Sequence, residues 1–276
     1  MYEEPYRWVE AVGNRRTYLD EQFKQGSPVV ALAYEGGILL TTVSKGTPKL
    51  YEIYDRIALG GMGHPADLEK LRFSLLEMAH VEGFNRSPSD VTGARLMKYG
   101  LAPAIKQAFE EIYKAPFIVK ILLAELGLKP ERDAFLTINY DGTFEESRRW
   151  ALLAANQAVL GKMGRYLQGR HREQVGLSQA LETALCTWAV GALAQVAADP
   201  STDQGPSAVD STGQAESEAE PDRAALVAHL RKTLAGRSLE CVVLERGAPG
   251  SSTYRTLRPD ELTGLLPSEL TSTTPA

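Results

Sequence analysis

Two apolar runs joined by a short turn, in VVALAYEGGILLTTV (residues 29–43), constrain the fold of this chain more than any other feature. The first run covers residues 29–34 and the second covers residues 38–43, which is the usual length of a strand. The connecting sequence Glu-Gly-Gly is typical of a tight turn. Because neither run alternates with polar residues, the pattern predicts a hairpin of two buried strands.

Ser27 lies just before this hairpin and directly after Gly26. Hydrolases whose nucleophile is also the mature N-terminus place a Ser, Thr or Cys at such a position, after a residue that self-cleavage removes. Two interpretations are therefore open. Ser27 is either a nucleophile released by a cut after Gly26, or a structural serine that ends a helix or starts a strand.

The composition is that of a globular chain, with 276 residues of which 43% are hydrophobic. This length allows one large buried core. The N-terminus carries Glu3 and Glu4 and no apolar run, so we expect no secretory signal and a cytoplasmic location. No uninterrupted apolar run has the length of a membrane span. Cys186 and Cys241 lack metal-ligand spacing, which predicts buried reduced thiols and no metal or cofactor.

The formal charge of −5 comes from one segment, residues 201–222, which contains six acidic residues and no Lys or Arg. Without those six acids the formal charge becomes +1. The segment is rich in Ser, Gly and Pro and has little to bury, so it is predicted to be a disordered linker. The rest of the chain has no basic stripe with interleaved aromatics, and nucleic-acid binding is not expected.

The remaining segments alternate between strand-like and helical patterns. The pattern predicts helices at residues 6–25, 64–84, 87–114, 178–198 and 222–236. It predicts strands at residues 49–63, 115–127, 132–144, 238–247 and 252–257. Two packed sheets with helices outside would bury every apolar face in that order. The predicted units are a core of residues 1–200, the linker of 201–222, a C-terminal helix and strands at 223–266, and a disordered tail at 267–276.

Three stretches, GSPVVALAYEGGILL, LYEIYDRIALGGMGHPAD and INYDGTF, resemble successive landmarks of a proteasome core-particle subunit. The leading helix and the closing SLECVVLERGAPGSSTYRTLRPDELTGLL resemble the alpha-type subunit, most of all the bacterial, actinobacterial type. The resemblance covers roughly residues 5–200 and 237–266. It implies an α+β fold, a four-layer αββα sandwich of the N-terminal-nucleophile hydrolase type, with an extra N-terminal helix.

The catalytic beta subunits of this family combine a Thr nucleophile, its free α-amino group, a nearby Lys, and an acid on the second strand. By resemblance, the nucleophile's position falls at Ser27, which Pro28 follows. The acid's position falls near Thr42, which offers no carboxylate, whereas Lys49 does match a lysine. The resemblance therefore implies no catalytic residue in this chain, and Thr41 and Thr42 are expected to be structural.

The resemblance gives Lys49 another role. In the family's alpha rings, the lysine at this position pairs with the C-terminal carboxylate of a docking activator, helped by glycines that match Gly26 and Gly63. The alternative is a solvated lysine at a strand end. A short segment before the first helix is expected to gate the axial pore; it consists of Met1, Tyr2, Glu3, Glu4, Pro5 and Tyr6.

The expected function is therefore that of a non-catalytic proteasome alpha subunit. Its expected partners are six further copies in a homoheptameric ring, proteasome beta subunits, an AAA-type ATPase, and unfolded protein tagged with prokaryotic ubiquitin-like protein. No membrane or nucleic-acid partner is expected. Two alternatives remain open at this point: a self-processing N-terminal-nucleophile peptidase or amidohydrolase that uses Ser27, and a free-standing scaffold whose acidic linker recruits a partner.

Overall fold

The computed structural model describes residues 5–111, 113–198, 221–248, 250 and 252–271. Residues 1–4 of the predicted gate, residues 201–220 of the predicted linker and residues 272–276 of the predicted tail lie outside the described residues. Pro5 and Tyr6 form the first two residues of helix α1, Pro5–Phe23.

One five-stranded antiparallel sheet has the order β10-β9-β2-β1-β8. The predicted hairpin forms its centre, with β1 (Val29–Tyr34) paired along its whole length with β2 (Gly37–Ser44). The outer strands are β8 (Trp150–Leu153), β9 (Ser238–Glu245) and β10 (Tyr254–Thr256). All eight residues of β2 pair with β9, so a strand from the last quarter of the chain completes the centre of this sheet.

The second sheet also has five antiparallel strands, in the order β3-β4-β5-β6-β7. Its strands are β3 (Leu50–Tyr54), β4 (Ile57–Gly63), β5 (Val119–Glu125), β6 (Ala134–Ile138) and β7 (Phe144–Ser147). Residues 49–63 thus form a hairpin rather than the single predicted strand. The turn at Asp55 and Arg56 has no Gly, Pro or Asn, so Asp55 alone gives a weak sequence signal for a reversal.

Helices cover the outer face of each sheet. On the second sheet lie α2 (Pro65–Asn85) and α3 (Gly93–Arg95), which continues through a π-helical stretch, Leu96–Leu101, into α4 (Ala102–Glu110). On the first sheet lie α5 (Gln157–Arg170), α6 (Leu177–Ala198), α7 (Arg223–Leu234) and α8 (Pro259–Leu265). The predicted four-layer α+β sandwich with an extra N-terminal helix is confirmed.

Strand β1 is buried on both faces, which explains its uninterrupted apolar sequence. Val29, Ala31 and Ala33 pack between the two sheets, whereas Val30 and Leu32 pack under the helices of the first sheet. A central strand of a four-layer sandwich has no solvent face, so the alternation typical of a half-buried strand is lost.

Helix α1 closes one end of the core between the sheets. Leu19 and Phe23 near its C-terminus are fully buried there. The Arg15 guanidinium donates to the carbonyls of Ala108 and Phe109 at the end of α4, at 2.9 and 2.8 Å. A cation at the C-terminus of a helix satisfies carbonyls that have no partner within that helix. The second half of α1 is thereby fixed to the sandwich.

Helix α6 is long and apolar enough to cross a membrane by length and composition, and no other helix in the described part of the chain meets that test. Residues such as Thr183 and Gln195 interrupt its apolar sequence, so α6 contains no uninterrupted apolar run of that length. More than half of its most apolar window is buried inside the protein. Leu181, Leu185 and Trp188 belong to the core under the first sheet, so α6 packs as a core helix.

The prediction of a disordered tail at residues 267–276 is wrong at the start of that segment. Ser268–Thr271 forms a short helix, α9. Leu270 packs against the core of the first sheet, and Glu269 accepts a hydrogen bond from Arg223 on α7 at 2.8 Å. Arg231 on α7 also donates a hydrogen bond to the Glu269 carbonyl. These contacts attach the turn to the body, which composition alone did not indicate.

Candidate functional site

Ser27 lies between the end of α1 and the start of β1 and is buried, with 8% of its surface exposed. Its hydroxyl accepts a hydrogen bond from the indole Nε1 of Trp188 at 3.1 Å and lies 3.5 Å from the hydroxyl of Thr42. In the described part of the chain, no His, Lys, Asp or Glu side chain hydrogen-bonds to this hydroxyl. A serine hydroxyl needs an adjacent base to become a nucleophile, and none is in place here.

The peptide bond before Ser27 is held by contacts on both sides. The carbonyl of Gly26 accepts a hydrogen bond from the Gln195 side chain at 2.8 Å. The backbone N–H of Gly26 donates to the carbonyl of Phe23 at 2.8 Å. A side chain built at Gly26 would meet Met62 at 3.0 Å, so an apolar thioether faces this bond. In the uncut chain Ser27 has no free α-amino group, so it would gain this base only if the bond after Gly26 were cleaved.

The hydroxyl groups of the two threonines of β2 form hydrogen bonds inside the core. Thr42 donates to the carbonyl of Pro28 at 2.7 Å, which ties β2 to the first residues of β1. Thr41 donates to the carbonyl of Glu240 at 3.2 Å and lies 3.0 Å from the Cys241 thiol. Both threonines are fully buried, and no carboxylate occupies the position where the catalytic subunits have their acid.

The structure brings Lys49, Gly26 and Gly63 to the end of strand β4. The carbonyl of Lys49 accepts a hydrogen bond from Gly61 at 2.9 Å, and Gly26 faces Met62, the neighbour of Gly63. Gly63 has a φ of +130°, and a side chain built there would lie 2.0 Å from the Ile118 carbonyl. The backbone itself therefore requires glycine at residue 63.

Lys49 is half-buried just before β3, where the chain crosses from one sheet to the other. Its backbone N–H donates to Oε2 of Glu240 on β9 at 2.8 Å. Burial lowers the pKa of its ammonium; the Glu240 carboxylate opposes that change, and Arg237 and Lys45 add to it. Across the described ranges, no carboxylate lies within ion-pair distance of this ammonium. A half-buried ammonium that makes no direct ion pair can receive a carboxylate from another molecule, and the negative charge of the nearby Glu240 opposes that approach.

Sequence similarity to curated proteins shows to which family this chain belongs. The proteasome subunit alpha of Streptosporangium roseum is 34% identical over 187 residues, which cover 66% of this chain and 70% of that protein. The proteasome subunit alpha of Xylanimonas cellulosilytica is 31% identical over 179 residues, covering 63% and 70%. This chain belongs to the proteasome alpha-subunit family.

A third relative, the proteasome subunit alpha of Thermobifida fusca, is 29% identical over 174 residues. No protein-family model matches the chain. The predicted resemblance to an actinobacterial proteasome alpha subunit is confirmed, and with it the N-terminal-nucleophile hydrolase type of the fold. Membership of this family also implies that the chain assembles with other proteasome subunits.

Sequence reasoning missed Lys120, a buried lysine on β5 of this alpha-subunit fold. Its ammonium donates to the carbonyls of Ala154 and Ala155 at 3.0 and 2.9 Å and lies 4.7 Å from the centre of the Phe23 ring. It also lines a cavity of about 640 Å³ near Tyr140 at the same end of the sandwich. A lysine followed by four apolar residues in the strand sequence VKILLAE was the available signal.

Burial lowers the pKa of Lys120 to about 8, although Asp20 and Asp141 oppose the change. Between about pH 8 and 10.5 the unfolded chain therefore holds more protons than the native protein, so the free energy of unfolding rises with pH. From pH 7.5 to 9.5 we expect wild type to gain about 2 kcal/mol relative to Lys120→Met.

Urea denaturation of both proteins at the two pH values measures this change. Lys98→Met, which removes an exposed lysine, should keep the pH dependence of the wild type. Equal pH slopes for the wild type and Lys120→Met would contradict the burial of a charged Lys120.

No group of three or more His, Cys, Asp or Glu side chains that could hold a metal ion occurs within the described residues. Cys186 and Cys241 are both buried and free, and burial raises the pKa of each thiol. The absence of a metal or cofactor from the working protein remains a prediction.

Proposed function

We propose that this chain is the non-catalytic alpha subunit of a bacterial 20S proteasome core in the cytoplasm. Seven copies form each outer ring around a double ring of beta subunits. The geometry at Ser27 supports the non-catalytic part: its hydroxyl contacts Trp188 and Thr42, and among the described residues no side-chain base hydrogen-bonds to it. The proteolytic threonine is supplied by the beta subunits.

The main alternative is a self-processing peptidase that cuts between Gly26 and Ser27. Such a cut would release α1, whose Leu19 and Phe23 are fully buried in the core between the sheets. The intact mass of the assembled subunit separates the two functions. The full-length mass supports the proposal, whereas a chain that begins at Ser27 supports the alternative.

Residues 1–6 act as the gate of the axial pore in this proposal. They precede the fixed half of α1, where Arg15 anchors the helix to α4. Pro5 and Tyr6 begin α1, whose second half is fixed, so a change at this end of the helix need not disturb the core.

Deleting residues 1–4 is expected to raise the turnover of a small fluorogenic peptide by the co-expressed alpha–beta particle. The physical reason is a wider entrance, so the beta-subunit active sites should show no change toward an irreversible active-site probe. Electron microscopy verifies that the variant particle has assembled. An unchanged turnover rate in a fully assembled particle would argue against a gate in these residues.

Lys49, with Gly26 and Gly63 beside it, forms the proposed docking pocket for a ring-shaped ATPase. Its ammonium pairs with the C-terminal carboxylate of the ATPase, which unfolds and feeds in protein tagged with prokaryotic ubiquitin-like protein. Lys49 suits a chain terminus because an ammonium is a compact charge on a flexible stem. The half-buried position and the absence of a carboxylate partner among the described residues support this role.

Lys49→Ala is expected to reduce ATPase-dependent degradation of a folded, tagged protein at least tenfold. A charge-assisted contact contributes about 1.5–3 kcal/mol per site, and several sites around a ring multiply the loss. Hydrolysis of small peptides by the same particle should be unchanged. Lys49→Arg should restore only part of the activity, because a guanidinium is broader than an ammonium.

The matched control is Lys129→Ala, which removes an exposed lysine whose charge is not among those that act on Lys49. It should degrade the tagged protein at close to the wild-type rate. Normal degradation by Lys49→Ala would show that Lys49 is a surface lysine or part of the subunit packing.

A further inference from the structure

We propose that the free edge of strand β8 binds an extended, unfolded polypeptide through backbone hydrogen bonds, largely without regard to its sequence. This inference rests on the proposed function, in which the particle takes in unfolded protein. β8 is an end strand of the first sheet and pairs with β1 on one side. A guest strand on its other side would extend that sheet by one strand, which is a common way to bind an extended peptide.

The strand register shows which backbone groups of β8 face the free side. The N–H of Ala33 on β1 donates to the carbonyl of Arg149 at 2.9 Å, so these residues form a hydrogen-bonded pair. Such pairs alternate with non-hydrogen-bonded pairs along an antiparallel ladder, so Ala151 also bonds to β1. Trp150 and Leu152 therefore direct their N–H and carbonyl groups away from β1.

The outward carbonyls on either side of Leu152 already have partners. The Trp150 carbonyl accepts a hydrogen bond from the Ser147 hydroxyl at 2.7 Å, and the Ala154 carbonyl accepts one from the Lys120 ammonium at 3.0 Å. The N–H and the carbonyl of Leu152 have no partner among the described residues, although Leu152 is only 5% exposed. Buried backbone groups are nearly always paired in native proteins, so a backbone carbonyl and N–H from another chain would complete Leu152.

Two adjoining cavities give access to Leu152, which lines both of them. One is the cavity of about 640 Å³ beside Lys120, and the other, of about 700 Å³, lies between β8, the edge strand β7 and helix α5. Together they form the β8 groove, which runs along Trp150–Leu153. Gly161 and Gly164 form part of its α5 wall, and a side chain built at either glycine meets no protein atom closer than 3.6 Å. This wall leaves room for a polypeptide backbone.

The charges that line the β8 groove have both signs. Its basic residues include Lys120 and Arg165, and its acidic residues include Asp20 and Glu145. Such a mixture does not select a ligand by its net charge. The recognition that remains is apolar contact, as with the Trp150 side chain, and hydrogen bonding to the free backbone groups of β8.

This kind of recognition favours an unfolded chain over a folded partner. Folded proteins keep their own strand edges paired or protected, so few of them present a free edge to a groove. An unfolded chain offers an N–H and a carbonyl at almost every residue and carries no fixed pattern of charge. The unfolded protein that the particle degrades has this chemistry.

The test uses the assembled alpha–beta particle with its beta active sites blocked by an irreversible inhibitor. The probe is a fluorescein-labelled, unstructured ten-residue peptide of Ser, Thr, Gln and Val, compared with the same peptide methylated on its central backbone nitrogens. Fluorescence anisotropy should show that methylation weakens binding about tenfold, because a guest residue loses its hydrogen bonds to Leu152. Hydrogen exchange at the Leu152 amide should slow when the unmethylated peptide is bound.

Gly161→Leu should weaken binding of the unmethylated peptide about tenfold or more, because the new side chain fills the β8 groove from α5. The matched control is Gly169→Leu on the same helix, where a built side chain also meets no protein atom within 4 Å but lies outside the groove. It should bind the peptide as wild type does. Because both peptides are first compared on the wild-type particle, the inference stays testable if Gly161→Leu fails to assemble.

The outcomes separate this inference from the function on which it rests. Equal binding of the two peptides by wild type, or unchanged exchange at Leu152, would show that β8 does not pair with a guest strand. Binding to the unassembled full chain but not to the particle would show that a neighbouring copy covers β8. Either result overturns the inference and leaves the proposed ring intact. Failure of the wild-type subunits to form a particle, seen by electron microscopy, would contradict the proposed function itself.

Discussion

Gly63→Ala is expected to lower the free energy of unfolding by about 4 kcal/mol or more, one of the two largest effects anticipated here. The new Cβ would lie 2.0 Å from the Ile118 carbonyl oxygen and 2.8 Å from its carbon. That carbonyl cannot move freely, because it accepts the backbone N–H of His64 at 2.7 Å. Residue 63 also has a φ of +130°, which is strained for any side chain.

The matched control is Gly46→Ala. Gly46 has a similar φ of +114°, but a side chain built there meets nothing within 4 Å. Its substitution should therefore show only the backbone strain, about 1–3 kcal/mol. Chemical denaturation of the three proteins separates the clash from the strain. If Gly63→Ala is no less stable than Gly46→Ala, the strands β4 and β5 are not packed as described.

Arg246→Ala is expected to destabilise the protein by about 3–5 kcal/mol, because it leaves a buried carboxylate without its cation. Arg246 donates to both oxygens of Asp133, at 2.8 and 3.1 Å, and the Asp133 side chain is only 2% exposed. Gly127 donates one further hydrogen bond to the same carboxylate. The pair connects the start of β6 to the end of β9, and so joins the two sheets.

This loss should shrink as the pH falls. Burial raises the pKa of Asp133, and the hydrogen bonds from Arg246 oppose that rise. Without Arg246 the pKa rises further, so the native variant takes up a proton at a higher pH than the unfolded chain does. Its deficit in unfolding free energy relative to wild type is therefore smaller at pH 5 than at pH 7.5.

Asp133→Asn in the Arg246→Ala background should restore part of the stability, because it removes the buried charge. Arg148→Ala is the control, since Arg148 forms an exposed pair with Glu146 at 3.3 Å. It should change the unfolding free energy by less than about 1 kcal/mol. A comparable loss for Arg148→Ala and Arg246→Ala would contradict the special cost of the buried pair.

The fold could be predicted where the signal is local. The apolar runs of β1 and β2 and the Gly-containing turn between them determine that hairpin within 16 residues. The helix-entry sequence at Pro65 and Asp67 likewise predicts the start of α2. The local signals are weaker at the β3–β4 turn, where Asp55 is the one common turn residue, and at helix α9, where Pro267 and Glu269 mark an entry to only one turn of helix.

The site was less predictable, because its contacts join distant parts of the sequence. Ser27 is 161 residues from Trp188, and Lys49 is 191 residues from Glu240. The inert environment of Ser27 was expected from the absence of an acid at Thr42. The hydrogen bond that Ser27 accepts from Trp188 was not expected, because nothing in the helical pattern of α6 shows which side chain faces the start of β1. Family resemblance indicated Lys49 but gave no reason to consider Lys120 or Glu240.

The pairing of β2 with β9 also determines when the first sheet can be completed during synthesis. The hairpin leaves the ribosome early, yet the strand that covers its outer edge begins at Ser238. At 5–20 residues per second, roughly 10–40 s separate the two. Throughout that interval the nascent chain displays an apolar edge with unpaired N–H and carbonyl groups, the kind of surface through which strands of different chains aggregate. The newly made protein therefore depends most on chaperones before β9 emerges.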